Sequence, residues 1–167
     1  MLILISISNI VKSQKYDIDK IITVDSTSKE VLYYRAMEWL STTYKSANDV
    51  IQMNDKEQGV IIGKGAIKTY VKVLGNYEDA GLVYYTIKLS FKHNKYRYEV
   101  NNVYHDKSFS KLGCSGGLLN NEKPASSNLC ISRKYWESIK YFADKGLNEL
   151  VLSLEASMQK QLQPTDW

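Results

Sequence analysis

Histidine and cysteine are scarce in this chain, two of each among 167 residues, and their scarcity bounds the chemistry. His93, His105, Cys114 and Cys130 form no C-x-x-C pair and no zinc-ligand spacing, so neither a metal centre nor a cofactor is expected. Long apolar runs are absent as well. No stretch reaches the roughly 20 residues that cross a bilayer as a helix. Charge of one sign is in short supply, with 22 Lys and Arg against 18 Asp and Glu. That surplus does not by itself imply a nucleic acid or an anionic membrane as partner. Phenylalanine occurs 3 times, against 13 tyrosines. A tyrosine packs its ring while its hydroxyl reaches water, which suits a sheet with one wetted face.

The length fits one domain. Residues 1–14 read MLILISISNIVKSQ, and Leu2 to Val11 form an apolar run of signal-peptide length. Val11-Lys12-Ser13 suits cleavage after Ser13, leaving Gln14 first. No basic segment precedes the run, and Lys12 lies beside the cut. A start upstream of Met1 would account for both; an ordinary first strand is the alternative. We therefore expect residues 1–13 to be a signal peptide, whole or truncated, and 14–162 to be a single extracytoplasmic domain, periplasmic or secreted. A loop insertion at 107–131 and a tail at 163–167 complete the division. In an oxidising compartment Cys114 and Cys130 can close one disulfide, worth about 3 kcal/mol in the chain-entropy model.

KYDIDKIITV at 15–24 reads as a first strand. Thr27 and Glu30 then have the spacing of a capping box, with Ser28 as the alternative cap. Leu32, Ala36, Trp39, Leu40 and Thr43 follow at helical spacing, with Arg35 on the polar side, so a helix is predicted over 28–45. Val50 to Met53, the turn DKEQG and the β-rich run from Gly59 to Val73 form a hairpin. Gly63 and Gly65 suggest a phosphate loop, but they lie within a strand pattern and open no helix. They read as a bulge or bend. GNYEDAG at 75–81 reads as the next connection.

Residues 82–105 carry the clearest pattern. Val83, Tyr85, Ile87, Leu89 and Phe91 alternate with polar neighbours up to a turn at His93-Asn94, and Tyr96, Tyr98, Val100, Asn102 and Tyr104 alternate beyond it. A two-residue turn sets Lys92 opposite Lys95. That register pairs Phe91 with Tyr96, Leu89 with Tyr98 and Ile87 with Val100 on the core face. On the wet face it pairs Ser90 with Arg97 and Lys88 with Glu99. The segment 107–131, with Gly116-Gly117 and Pro124, reads as irregular. From Ser132, the residues Trp136, Ile139, Ala143, Leu147, Leu150, Leu154 and Met158 stripe one long helix, interrupted by Gly146. The order, a strand, a helix, four strands and a helix, belongs to the α+β class: an antiparallel sheet of about five strands with two helices on one face.

EVLYYRAMEW at 30–39, DKEQGVIIGKG at 55–65 and TIKLSFKHNKYRYEV at 86–100 together resemble a bacterial domain family of unknown function. That family is described as having a TATA-binding-protein-like fold. The resemblance spans about residues 28–106 and implies β-α-β4-α, in agreement with the order read above. It brings no catalytic residue.

The candidate contact surface is the wet face of the ribbon: Tyr84, Thr86, Lys88, Ser90, Lys92, Lys95, Arg97 and Asn101. A non-catalytic binding or interaction module is the favoured reading, its partner unknown, a cell-envelope protein or a small ligand being the expectation. Nucleic-acid binding through the same face is the alternative. It is disfavoured because architectural DNA binders put apolar wedges where this face puts Lys, Ser, Thr and Glu. An enzyme with an unrecognised site is the other alternative. His105 and Asp106 suggest a dyad, but strand neighbours point to opposite faces. Cys114 reads as a disulfide half or inert thiol more readily than as a nucleophile, and Asp25/Glu30 and Glu78/Asp79 share no site context.

The mass of the protein from its native cell tests the export reading. The expected mass is that of the chain from Gln14 onward, less the two hydrogens lost on forming one disulfide. A mass retaining residues 1–13 and both thiols would remove the extracytoplasmic assignment.

Overall fold

The computed structural model describes residues 15–106, 113–126 and 130–160. The expected signal segment and tail lie outside that range, as do 107–112 and 127–129 of the loop. Strand β1 (Ile18–Thr23) leads to helix α1 (Lys29–Thr43), a single turn α2 (Ala47–Val50), and strands β2 (Ile51–Asp55), β3 (Val60–Val73), β4 (Asn76–Lys92) and β5 (Lys95–Asp106). A two-residue strand β6 (Gly117–Leu118) and the long helix α3 (Arg133–Gln159) follow. The sheet order is β1-β5-β4-β3-β2, with all pairs antiparallel and β6 beside β5. The class is α+β with helices on one face, as the pattern predicts.

The β4–β5 register matches the expected one from Lys92–Lys95 to Ile87–Val100, and Ile87, Leu89, Phe91, Tyr96 and Tyr98 are buried. Beyond Val100 the expected alternation fails. Thr86 pairs with Asn101 but Tyr84 pairs with Tyr104, so β5 holds one extra residue in a bulge, and Asn102 takes φ 51° there. A residue added to one strand inverts the faces of everything after it. Val103 and His105 therefore enter the core, while Asn102 and Tyr104 face water. Asparagine tolerates the left-handed region better than most residues, which is why the Asn101-Asn102 pair can host the bulge.

Three further expectations are corrected. GNYEDAG is not a connection. Leu74 and Gly75 form the whole turn, both at positive φ as the strand twist favours, and β4 starts at Asn76 with a bulge at Ala80. Gly65 marks no bulge, because the β3–β4 register runs unbroken through it; Gly63 faces an irregularity in the neighbouring strand, where β2 holds one extra residue between Ile51 and Met53. Gly65 lies opposite Tyr85, whose ring covers it, and a Cβ there would overlap that ring. The cap of α1 is Ser28, whose Oγ accepts from Val31 N, not Thr27. Thr27 instead binds the turn of the ribbon: its N–H donates to Asn94 Oδ1 and its carbonyl accepts from Asn94 N.

The buried side of α3 is Trp136, Ile139, Ala143, Leu147, Leu150, Leu154 and Met158, the predicted stripe. Gly146 marks close approach to the sheet, since a Cβ would stand 2.7 Å from Ile67 Cγ2. On α1 two assignments change. Thr43 is exposed and Arg35 is buried. Arg35 Nη1 donates to Met158 O at 2.7 Å, placing a cation on the carbonyl end of α3 where the helix dipole favours it. Trp39 Nε1 donates to Ser153 Oγ, a second tie between the helices.

The segment expected to be irregular contains β6 and is fastened through His105. Gly116 N donates to His105 Nδ1 at 2.9 Å, so the ring proton sits on Nε2, which donates to Ala80 O at 2.6 Å. Ser115 Oγ donates to His105 O, and Trp136 meets the ring edge-on. Cys114 and Cys130 are joined as a disulfide, their Cα atoms 6.1 Å apart, within the usual span of such bridges. Burial holds the His105 pKa below the ordinary 6.5.

Replacing Gly65 with alanine should lower unfolding free energy by about 1–3 kcal/mol in urea titrations, because the Tyr85 ring must move and release its 2.7 Å bond to Tyr44 OH. An unchanged midpoint would show that the ring and the strand are not in contact. For His105, the unfolded chain binds more protons between the depressed folded pKa and about 6.5. Stability should therefore be complete above about pH 6.5 and decline as pH falls below it toward the folded value. Urea midpoints should show this slope, and His105→Gln should flatten it.

Candidate functional site

The helices cover one face of the sheet, and no described element packs on the other. That open face carries every residue of the predicted contact surface, because those side chains sit at the polar positions of the ribbon's alternation. The structure divides them into two hollows. Lys88, Ser90, Lys92, Lys95 and Arg97 line one of about 340 Å³ together with Ile21 and Glu99. Tyr84 and Thr86 line another of about 290 Å³ with Lys64, Asn102, Tyr104 and Leu118. Asn101 pairs with Thr86 across the strands and lines neither; its Oδ1 is buried with no hydrogen-bond partner among the described residues.

Charge in the first hollow is neutralised in part. Arg97 donates through Nε and Nη2 to the two carboxylate oxygens of Asp19 at 2.7 and 2.6 Å. It also lies 3.2 Å from Glu99, which in turn stands 3.8 Å from Lys88. The hydrogen bonds to Arg97 hold the Asp19 carboxyl below the usual range, and those to Asp19 raise Arg97 further. Lys92 and Lys95 face each other without an ion pair among the described residues, beside the exposed side chain of Ile21. The second hollow is aromatic. Tyr84 and Tyr104 stack at 5.4 Å between centroids and 24° between planes, with Leu118 at the rim. Partial burial, Asp106 and Tyr104 together raise the Tyr84 hydroxyl pKa.

Sequence reasoning missed Tyr104, Asn102 and Leu118 on this face, and Asp19 and Ile21 beside it. The first two were assigned by an alternation that the bulge inverts, and the repeated asparagine was the available signal. Leu118 reaches the face only because β6 pairs with β5. Asp19 and Ile21 depend on β1 lying next to β5, which is a matter of topology.

The remaining candidates do not assemble a site. His105 and Asp106 point to opposite sides, and both His105 nitrogens are bound to backbone groups. His93 sits in the β4–β5 turn. No cluster of three or more His, Cys, Asp or Glu fit to hold a metal occurs among the described residues. Among those residues no helix is long and apolar enough to cross a membrane.

Comparison with known proteins places the fold. A TBP-like protein from Parabacteroides distasonis ATCC 8503, solved by crystallography, superposes with a TM-score of 0.59 at 12% identity, over 86% of this chain and 95% of that one. A DUF4468 family protein from Bacteroides ovatus ATCC 8483 superposes with a TM-score of 0.57 at 16% identity, over 87% and 89%. No curated protein matches. The family model described as a domain of unknown function (DUF4468) with TBP-like fold matches residues 19–106, which contain α1, strands β2 to β5 and all of β1 but Ile18. The chain belongs to this DUF4468 family of TBP-like domains.

Proposed function

We propose that this domain is a non-catalytic binding module of the extracytoplasmic space that holds a protein segment or small ligand on its helix-free sheet face. One observation carries the reading. The face combines exposed apolar and aromatic side chains, Ile21, Tyr104 and Leu118, with an Asp19–Arg97–Glu99–Lys88 network that satisfies most of its own charge. Apolar area flanked by paired charges suits a partner with mixed chemistry. A polyphosphate backbone instead needs cations free to replace its counterions. Lys92 and Lys95 carry no ion pair among the described residues, and with Ile21 they would take one carboxylate and its apolar neighbour. Both ring nitrogens of His105 are taken by backbone groups, which favours a structural role for it, and the Cys114–Cys130 bridge suits an oxidising compartment.

The test is retention of cell-envelope components on the immobilised chain, compared with Tyr104→Ala and with Lys92→Glu/Lys95→Glu. The expected result is a retained component whose binding weakens about tenfold in each variant, while both variants keep the wild-type melting temperature. Retention indifferent to these changes would overturn the assignment to this face. Salt-sensitive retention on duplex DNA, equal for any sequence, would replace it with the nucleic-acid reading.

A further inference from the structure

β3 is a long strand with a short neighbour. It runs from Val60 to Val73, yet β2 pairs with it only between Val60 and Gly63. Coverage stops where α2 turns away, Val50 standing against Gly63. Phe91 N donates to Gly59 O, and the backbone groups of an antiparallel strand alternate in direction. Odd-numbered residues of β3 therefore bond to β4, and even-numbered ones face the opposite edge. Val60 and Ile62 meet β2, and the Tyr70 carbonyl accepts from Ser138 Oγ at 2.9 Å. Between them the backbone groups of Lys64, Ala66 and Lys68 are turned outward at exposed positions, and no described strand pairs with them.

We propose that this stretch of β3 accepts an added strand from another polypeptide, and that the strand is acidic. An open edge supplies the main-chain donors and acceptors for such addition. Selectivity comes from the side chains. Lys64, Lys68 and Lys72 occupy alternate-pair positions on one face, all exposed; Asp79 engages Lys68 at 3.0 Å, while Lys64 and Lys72 have no ion pair among the described residues. A docked strand would lay every second side chain beside this row, where Asp or Glu is attracted and Lys or Arg is repelled. The same row sets lysine against lysine if two copies meet edge to edge, so it guards against self-pairing while admitting an acidic partner. The far edge of the sheet offers no equivalent, since Asp19 and Lys20 of β1 are engaged by Arg97 and Glu155. The inference goes beyond the sheet-face reading and does not rest on it.

The experiment follows backbone amide exchange of the full chain, isotope-labelled, with two synthetic peptides of about seven residues, one alternating Val and Glu, the other Val and Lys. The Val–Glu peptide should slow exchange at Lys64, Ala66 and Lys68 about tenfold, and should lose that effect at roughly 0.5 M salt. The Val–Lys peptide should leave these amides unchanged. Ala66→Pro removes an outward N–H without touching the β4 ladder and should abolish protection. Lys64→Glu/Lys72→Glu should reverse the peptide preference, and it decides the matter if the proline variant fails to fold. No protection by either peptide, equal protection by both, or protection of these amides by self-association alone would overturn the proposal.

Discussion

Everything in this molecule is arranged around keeping one side of the β4–β5 ribbon dry. Tyr85, Ile87, Leu89 and Phe91 on one strand and Tyr96, Tyr98 and Val100 on the other present a continuous apolar surface, and α1 and α3 exist to cover it. The opposite side is thereby committed to solvent and becomes the place where Lys88, Arg97 and Glu99 can be charged without penalty. A single bulge at Asn101–Asn102 then exchanges the two sides for the remainder of β5. That exchange brings His105 into the interior and Tyr104 out onto the open face, so one local irregularity couples the core to the candidate site.

A buried imidazole in an apolar core is tolerable only when both nitrogens are satisfied. Here the satisfaction comes from two distant backbone groups, Ala80 at a bulge in β4 and Gly116 in the disulfide-bearing loop. The polar group thus acts as a fastener for a segment with little regular structure of its own. Arg35 does similar work between the helices, where its guanidinium donates to the Met158 carbonyl near the end of α3 and ties that helix to α1. These contacts specify how the helices and loop sit, while the apolar stripe of α3 buries itself in the shared core.

Membership in a family with a TBP-like fold does not by itself carry a DNA-binding role, because one fold can host many functions. Asp19, Glu99 and Asp79 pair with Arg97, Lys88 and Lys68, while Lys64, Lys72, Lys92 and Lys95 carry no ion pair among the described residues, and the apolar side chains are concentrated at two places rather than presented as wedges. The fold supplies a broad, uncovered sheet; the side chains decide what can lie on it.

The ribbon to Val100, its register across the His93-Asn94 turn, the buried stripe of α3 and the succession of elements were all legible in the amino-acid order. Each depends on a short-range period, two for strands and about 3.6 for helices, and periodicity is a local property. The basic half of the candidate face was legible for the same reason. What no local pattern encodes is the neighbour across space. Tyr104 and Leu118 join Tyr84 only after a bulge inverts one strand and a two-residue strand returns to pair with it. Asp19 meets Arg97 only because the first strand lies beside the fifth. Gly65 must be glycine because Tyr85 crosses over it from the next strand. Amino-acid order sets which residues alternate and which face of each element is apolar; the packed fold sets which faces meet, because pairing across the sheet joins residues whose separation along the chain carries no repeating signal.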